Sequence, residues 1–484
     1  MKHSICILLT LILLSCNSKP KKQDIPSEEK QPNVLIILTD QLRAQSTGYA
    51  GDINVKTPHL NQLESISVNF KNAISGMPVC TPFKASLISG QRPLTNGVFM
   101  NDVQLDTNAV SMGKIYSKAG YNTAFIGKWH IDGQGRENFI PPGNRRQGFQ
   151  FWMANECTHN YNSSTYYDND DPTPKTWDGY DTFEQTDAAI DFINSKTNSD
   201  NPFALMLSWG TPHNPYHSAP QKYRDMFKPE DMKLRPNVPE EISGKIKKDI
   251  AGYYAHIVAL DDMVGKLIQN LKDNNQLDNT IIVFTSDHGD LLGSQGAYRK
   301  QQPYNESVRV PMLFHIPKAL GIEPGKRKAV LNSEDILPTL LSLSNIEIPK
   351  TIEGINYQPY LEGIDDTVGK ETVIICAQPF GEWNRPKRHG REYRGLVTQK
   401  YTYVKDLNGP WLLFDNDEDP YQMNNLVNQA EFATLQSDLD KRLMARLKAN
   451  DDQFLPGAHY IEKWGIEVDE LGTVPYKKHS IKAH

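Results

Sequence analysis

Two short stretches of the chain are apolar at almost every position: Val34-Leu35-Ile36-Ile37-Leu38-Thr39 and Ile281-Ile282-Val283-Phe284-Thr285-Ser286. Runs of this length, rich in β-branched residues, predict parallel strands covered on both faces. Helices are predicted over 182–195 and 250–271. The alternation of strands and helices predicts a doubly wound α/β domain. Further on, polar residues around Gly363-Ile364-Asp365-Asp366 precede a predicted strand at 372–376. Strands at 393–398 and 401–405 and an amphipathic helix at 432–447 follow it.

The first residues break this pattern. Lys2 and His3 open the chain, 5–14 is almost continuously apolar, and Leu13-Leu14-Ser15-Cys16 resembles a bacterial lipobox. The apolar run is too short to span a bilayer. It predicts a signal peptide over 1–16, with Cys16 as the lipidated first residue of the mature chain. An ordinary cleaved signal peptide is the alternative. Residues 17–31 are rich in Lys, Glu, Ser and Pro and predict a solvated tether. The expectation is an exported lipoprotein, anchored to a membrane through lipid only, in the periplasm or at the cell surface.

Composition narrows the class of partner. With 23% charged and 38% hydrophobic residues over 484 positions, the chain suits a soluble globular enzyme. A formal net charge of −6 argues against a nucleic-acid partner. There are five cysteines, Cys6, Cys16, Cys80, Cys157 and Cys376. Cys6 leaves with the signal and Cys16 carries lipid, so an odd number remains. Either Cys157 and Cys376 form a disulfide, or all three are buried thiols.

The candidate chemistry gathers at strand ends. Asp40-Gln41 follows the first apolar run and Asp287-His288-Gly289-Asp290 the second. Open α/β sheets bind ligands beyond the carboxyl ends of their strands. Two carboxylates, an amide oxygen and an imidazole there could hold one divalent cation, and oxygen-dominated ligation favours Ca²⁺ or Mg²⁺ over zinc. An Asp after a strand is also a common helix cap. A third segment runs Cys80-Thr81-Pro82-Phe83-Lys84-Ala85-Ser86-Leu87-Ile88-Ser89-Gly90. Pro82 suits the first turn of a helix and Gly90 its end. Cys80 would then stand at a helix N-terminus, which favours an anion.

This segment resembles the sulfatase family, whose Cys-x-Pro-x-Arg core also precedes a helix ending in Gly. Here Lys84 stands where the family has Arg, which keeps the charge and loses the planar fork. Other elements follow in the family's order. They are Asp40-Gln41, Gly127-Lys128-Trp129-His130, Thr211-Pro212-His213-Asn214-Pro215-Tyr216, Asp287-His288-Gly289, Lys300 and Glu306-Ser307-Val308-Arg309-Val310-Pro311. Leu413-Phe414-Asp415 and Asp419-Pro420-Tyr421-Gln422-Met423-Asn424-Asn425-Leu426 resemble its closing motif.

The resemblance implies an alkaline-phosphatase-like fold. A large catalytic α/β domain at 32–370 would be followed by a smaller C-terminal subdomain at 371–484 with a short antiparallel sheet and a helix. It implies that a formylglycine-generating or sulfatase-maturing enzyme oxidises Cys80 to formylglycine, whose hydrated aldehyde is the nucleophile. The metal, Ca²⁺ ahead of Mg²⁺, would be held by Asp40, Gln41, Asp287 and His288 with the modified Cys80. Lys84, Lys128 and Lys300 would stabilise charge on the nucleophile and the sulfuryl oxygens. His213 would protonate the leaving sugar oxygen with help from Lys300, His130 would take a later proton, and Asp287 would assist the first deprotonation.

The expected substrate is a sulfated polysaccharide or an oligosaccharide derived from it. His159, within the aromatic stretch 155–167, and Arg391 and Arg394, within a basic and aromatic stretch that runs from Trp383 to Arg394 and also holds Arg385, Lys387, Arg388 and His389, are candidate substrate contacts. An exposed charged loop is the alternative for the basic stretch. Two other functions remain open: a phosphodiesterase or phosphonate monoester hydrolase on the same fold, and a non-catalytic protein that binds sulfated glycans.

Overall fold

The computed structural model describes residues 31–475 apart from Pro386 and His389. The signal segment, Cys16 and nearly all of the tether lie outside the described residues, as does His389 of the basic stretch. Among the described residues no helix is long and apolar enough to cross a membrane.

The first apolar run forms β1 (Asn33–Asp40) and the second β8 (Thr280–Ser286). Between them lie β2 (Val68–Ile74), β3 (Asn122–Lys128), β4 (Phe151–Asn155), β5 (Thr165–Asp168), β6 (Lys175–Thr176) and β7 (Phe203–Pro212). With β9 (Met312–His315) and β10 (Gly325–Asn332) they make one ten-stranded sheet, ordered β10-β2-β9-β8-β1-β7-β3-β4-β5-β6. The centre, β8-β1-β7-β3-β4, is parallel. β9 runs antiparallel to both β2 and β8, and β5 to β4, so the whole sheet is mixed.

The continuous apolar runs reflect burial on both faces. Alternate residues of a strand point to opposite sides. Val34, Ile36 and Leu38 of β1 pack with Ile281 and Val283 and with Phe83, Leu87 and Ile88 of the helix Cys80–Ser89. Leu35 and Ile37 pack with Ile282 and Phe284 and with Ile250, Ile257 and Leu260 of the helix Ser243–Asp273. Each such aliphatic side chain stabilises the fold by about 1.5–3 kcal/mol. The 31-residue helix extends beyond the predicted 250–271 at both ends. The other predicted helix, 182–195, is Asp181–Ser195.

A second, antiparallel sheet consists of β11 (Glu371–Cys376), β12 (Tyr393–Thr398), β13 (Tyr401–Asp406) and β14 (Gly409–Asp415) in sequential order. One face carries Ile374, Val397, Val404 and Phe414 against Ile74, Val308 and Val330 of the main domain. The other carries Leu396, Tyr403 and Leu413 against Leu439, Leu443 and Leu447. Those leucines recur every four residues along the helix Ala433–Ala449, as one buried stripe requires.

Cys80, Cys157 and Cys376 are all buried free thiols, so the alternative of a Cys157–Cys376 disulfide is not realised. Cys376 ends β11 within the core, where burial pushes its thiol up to about 12.

Candidate active site

The register of β1 and β8 builds the centre of the site. Leu38 pairs with Thr285 and Thr39 with Ser286, so Asp40 and Asp287 leave adjacent strands side by side. Gln41 takes a left-handed φ of 72° and donates its backbone N–H to Asp287 Oδ1 at 2.9 Å. Gly289 follows His288 because nothing larger fits: a Cβ there would lie 2.0 Å from the Glu306 carbonyl oxygen.

Cys80 opens the helix Cys80–Ser89, which ends at Gly90 with a left-handed φ of 64°. The Cys80 sulfur lies 3.3 Å from His288 Nε2, 3.8 Å from Asp40 Oδ1 and 2.8 Å from Lys300 Nζ. One ligand atom each from Asp40, Cys80, Asp287 and His288 falls within 4.8 Å of the others, and all four residues are buried. Two further acceptors, Gln41 Oε1 and Asp287 Oδ2, are buried without a hydrogen-bond partner. Orphaned acceptors in so tight an anionic cluster are what a cation would satisfy. The donor set therefore fits a divalent metal.

The electrostatics agree. Burial raises the Asp287 carboxyl, Asp40 beside it adds to this, and the result is a value of about 7. Burial opposes ionisation of Asp40 too, but Lys128 Nζ at 2.6 Å outweighs it, with His213, Lys300 and His288, and holds this carboxyl well below the usual range. For Cys80, burial and Asp40 work against the thiolate, while Lys300, Lys128 and His288 prevail and lower it well below an ordinary thiol.

Lys128 ends β3, and His130 follows two residues later with a left-handed φ of 61°. His130 Nε2 is 3.3 Å from Asp102 Oδ1, and Arg136 clamps Asp102 with two hydrogen bonds of 2.9 Å. Burial disfavours a charged His130, but Cys157 and Asp102 overcome it and raise this imidazole well above its ordinary value. His213 is depressed, first by burial and then by Lys300. Its Nδ1 faces the Asn214 carbonyl oxygen at 2.8 Å, and its ring stacks on His159 at 4.5 Å.

Not every expected residue reaches the cavity. Cys80, Lys128, His130, His159, His213 and Lys300 line a pocket of about 240 Å³. Lys84 lies beneath it. Its ammonium donates to the Lys128 carbonyl oxygen at 2.8 Å and to Ser208 Oγ at 3.0 Å, and makes no hydrogen bond to Cys80. Arg394 is not a substrate contact. It is fully buried on β12 and its guanidinium is held by Asp452, Tyr460 and the Cys376 carbonyl. Arg391 donates to Asp406 at 2.6 Å and lies over the Trp411 ring, away from the pocket lining.

Of the basic and aromatic stretch 383–394, Trp383 does line the pocket; the sequence reading missed Asn101, Asp102, Arg136 and Arg299, which line it too. It also missed the role of Asp290. That carboxylate accepts from Gln41 Nε2 at 2.7 Å and so turns Gln41 Oε1 free. Its place in the Asp-His-Gly-Asp run was the available signal. Asp290→Ala is expected to weaken divalent-metal binding about 10–100-fold in a calorimetric titration, as loss of an outer-shell partner does.

Comparison with known proteins settles the family. Residues 32–346 match the sulfatase family, and residues 293–449 match the family described as N-sulphoglucosamine sulphohydrolase, C-terminal. The chain belongs to the sulfatase family. It is a sulfuric ester hydrolase with the alkaline-phosphatase-like fold of that family. It is 42% identical to the ulvan-active sulfatase of Formosa agariphila, over 95% of this chain and 89% of the relative. An endo-4-O-sulfatase of Bacteroides thetaiotaomicron is 27% identical over 86% of this chain and 92% of its own length. The crystal structure of the sulfatase yidJ from Bacteroides fragilis superposes with a TM-score of 0.78 at 30% identity, covering 90% of this chain and 98% of that one. A family metal and nucleophile thus meet, in this sulfatase, a donor set and a buried cysteine that suit them.

Proposed function

We propose that this sulfatase removes sulfate from a sulfated polysaccharide or its oligosaccharides, using formylglycine made from Cys80 and a bound Ca²⁺. The observation that carries the reading is Cys80 itself: it is buried at a helix start between the oxygen-rich metal cluster and the lysines of the pocket. The 42% identity to an ulvan-active enzyme supports a polysaccharide substrate. Oxygen donors outnumber nitrogen in the cluster, which favours Ca²⁺.

When bound, the cation supplies Lewis-acid polarisation of a sulfate oxygen and lowers the pKa of the attacking hydroxyl. Formylglycine at position 80 supplies that hydroxyl from its hydrated aldehyde. The remaining work falls to side chains. Lys128 and Lys300, both buried, stabilise charge on the sulfuryl oxygens. Lys84 fixes the Lys128 segment through its carbonyl. His213 delivers a proton to the leaving sugar oxygen. Burial and Lys300 disfavour its charged form, so the negative charge of an arriving sulfate must offset Lys300 and let Nε2 take up a proton from solvent before it is passed on. His130, oriented by Asp102 and held protonated by it and Cys157, takes the later proton once it has given its own to solvent.

The direct test is sulfate release from ulvan and other sulfated polysaccharides, assayed beside aryl phosphodiesters. Release from a polysaccharide is expected; turnover of phosphodiesters alone would overturn the reading. Metal binding should depend on pH in a defined direction. Asp287, at about 7 without metal, must lose its proton to bind a cation. Calcium affinity of chelator-stripped protein should therefore fall at least about tenfold per unit below about pH 7, as titration calorimetry would show.

We also propose export and lipid anchoring through Cys16. Cys16→Ser should move the protein from the membrane fraction to the soluble fraction. Equal membrane association of both forms would contradict anchoring.

A further inference from the structure

The segment that sends Lys300 and Gln301 into the catalytic pocket sends Asn305 and Arg309 into a second cavity of about 360 Å³. The two cavities share no lining residue. The wall of the second carries Arg43, Lys233, Arg235 and Arg309. Arg235 is already engaged, paired with Glu306 at 2.8 Å and lying over the Tyr421 ring. Glu306 also accepts from Asn237, and Asp52 on the same wall accepts from the Tyr254 hydroxyl.

Arg43 and Arg309 are differently placed. Arg43 is only 2% exposed, yet its Nε and Nη2 have no hydrogen-bond partner. Arg309 Nε is buried and equally without one. Buried guanidinium N–H groups are costly to leave unmet, and their fork matches two oxygens of a carboxylate or of a tetrahedral oxyanion. An adjoining cavity shares Gln45, Ala50 and Arg309 with this one and adds Lys71 and Lys326. Lys71, Lys233 and Lys326 are exposed. Together these side chains form a cationic track on a protein whose net charge is −6.

The geometry points to a second, non-catalytic binding site for the anionic groups of a sulfated polysaccharide. One sulfate or carboxylate sits between Arg43 and Arg309, and neighbouring groups of the same chain follow Lys233, Lys71 and Lys326. The site rests on the reading of the substrate as a polymer. It holds the chain near the catalytic pocket and raises the local concentration of sulfate esters there.

Binding can be measured apart from turnover, in protein carrying Cys80→Ala, by affinity electrophoresis through gels containing ulvan. Adding Arg309→Met and Lys233→Ala is expected to weaken retardation about tenfold at low salt, with the difference vanishing near about 1 M salt. With Cys80 intact, the same pair should lower kcat/KM on the polymer by a similar factor and leave an aryl sulfate unaffected. The exposed pair Lys71→Glu and Lys326→Glu provides the same comparison should the first lower thermal stability. Equal retardation of parent and variants would overturn the proposal. A difference in retardation without sulfate release from any substrate would keep this site and remove the catalytic reading.

Discussion

Cys80→Ala is expected to abolish sulfate release, by at least about 10⁴-fold, while leaving the fold intact. Loss of a covalent nucleophile removes the step that the rest of the site serves, and residues acting with it cannot compensate. The side chain is small and 1% exposed, so truncation leaves only a slight void at the helix start. Ion chromatography of released sulfate, with a thermal melt on the same sample, separates the two effects. Unchanged sulfate release would remove Cys80 from the mechanism.

Asp40→Asn should damage both chemistry and stability. Asp40 is a metal ligand in this account and also the sole carboxylate partner of Lys128, at 2.6 Å, among the described residues. Both side chains are almost fully buried. Neutralising the carboxylate leaves a buried ammonium uncompensated, at a cost of about 3–5 kcal/mol. Losing the cation as well should cut kcat/KM by about 10³-fold, the scale of several kcal/mol of Lewis-acid stabilisation. Asp40→Asn/Lys128→Met should recover much of the melting temperature and none of the activity. That split distinguishes the structural cost from the catalytic one.

Much of the centre of the site was legible in the sequence because local rules generate it. Two apolar runs ending in Asp-Gln and Asp-His identified the strands, and Pro82 with Gly90 bounded the helix. What the sequence did not contain was the pairing of β1 with β8 across 246 residues, which makes two separate acidic ends into one cluster. Arg394 shows the same gap in reverse. Its neighbours suggested a basic surface loop, but period-two alternation turns it inward, to a carboxylate 58 residues away. Lys84 was flagged by its departure from the family motif. Its actual acceptors, the Lys128 carbonyl and Ser208, come from β3 and β7 and leave no trace near position 84. Pocket residues such as Asp102 and Arg136 come from separate loops, where no periodicity marks them.

The central claim is that Cys80 is converted to formylglycine despite Lys84, and the most direct measurement is mass spectrometry of the Cys80 peptide from protein made in its native host. The account predicts the mass of the aldehyde at position 80, in a fraction that scales with sulfate release across preparations. An unmodified thiol in every molecule, in preparations that still release sulfate, would contradict it.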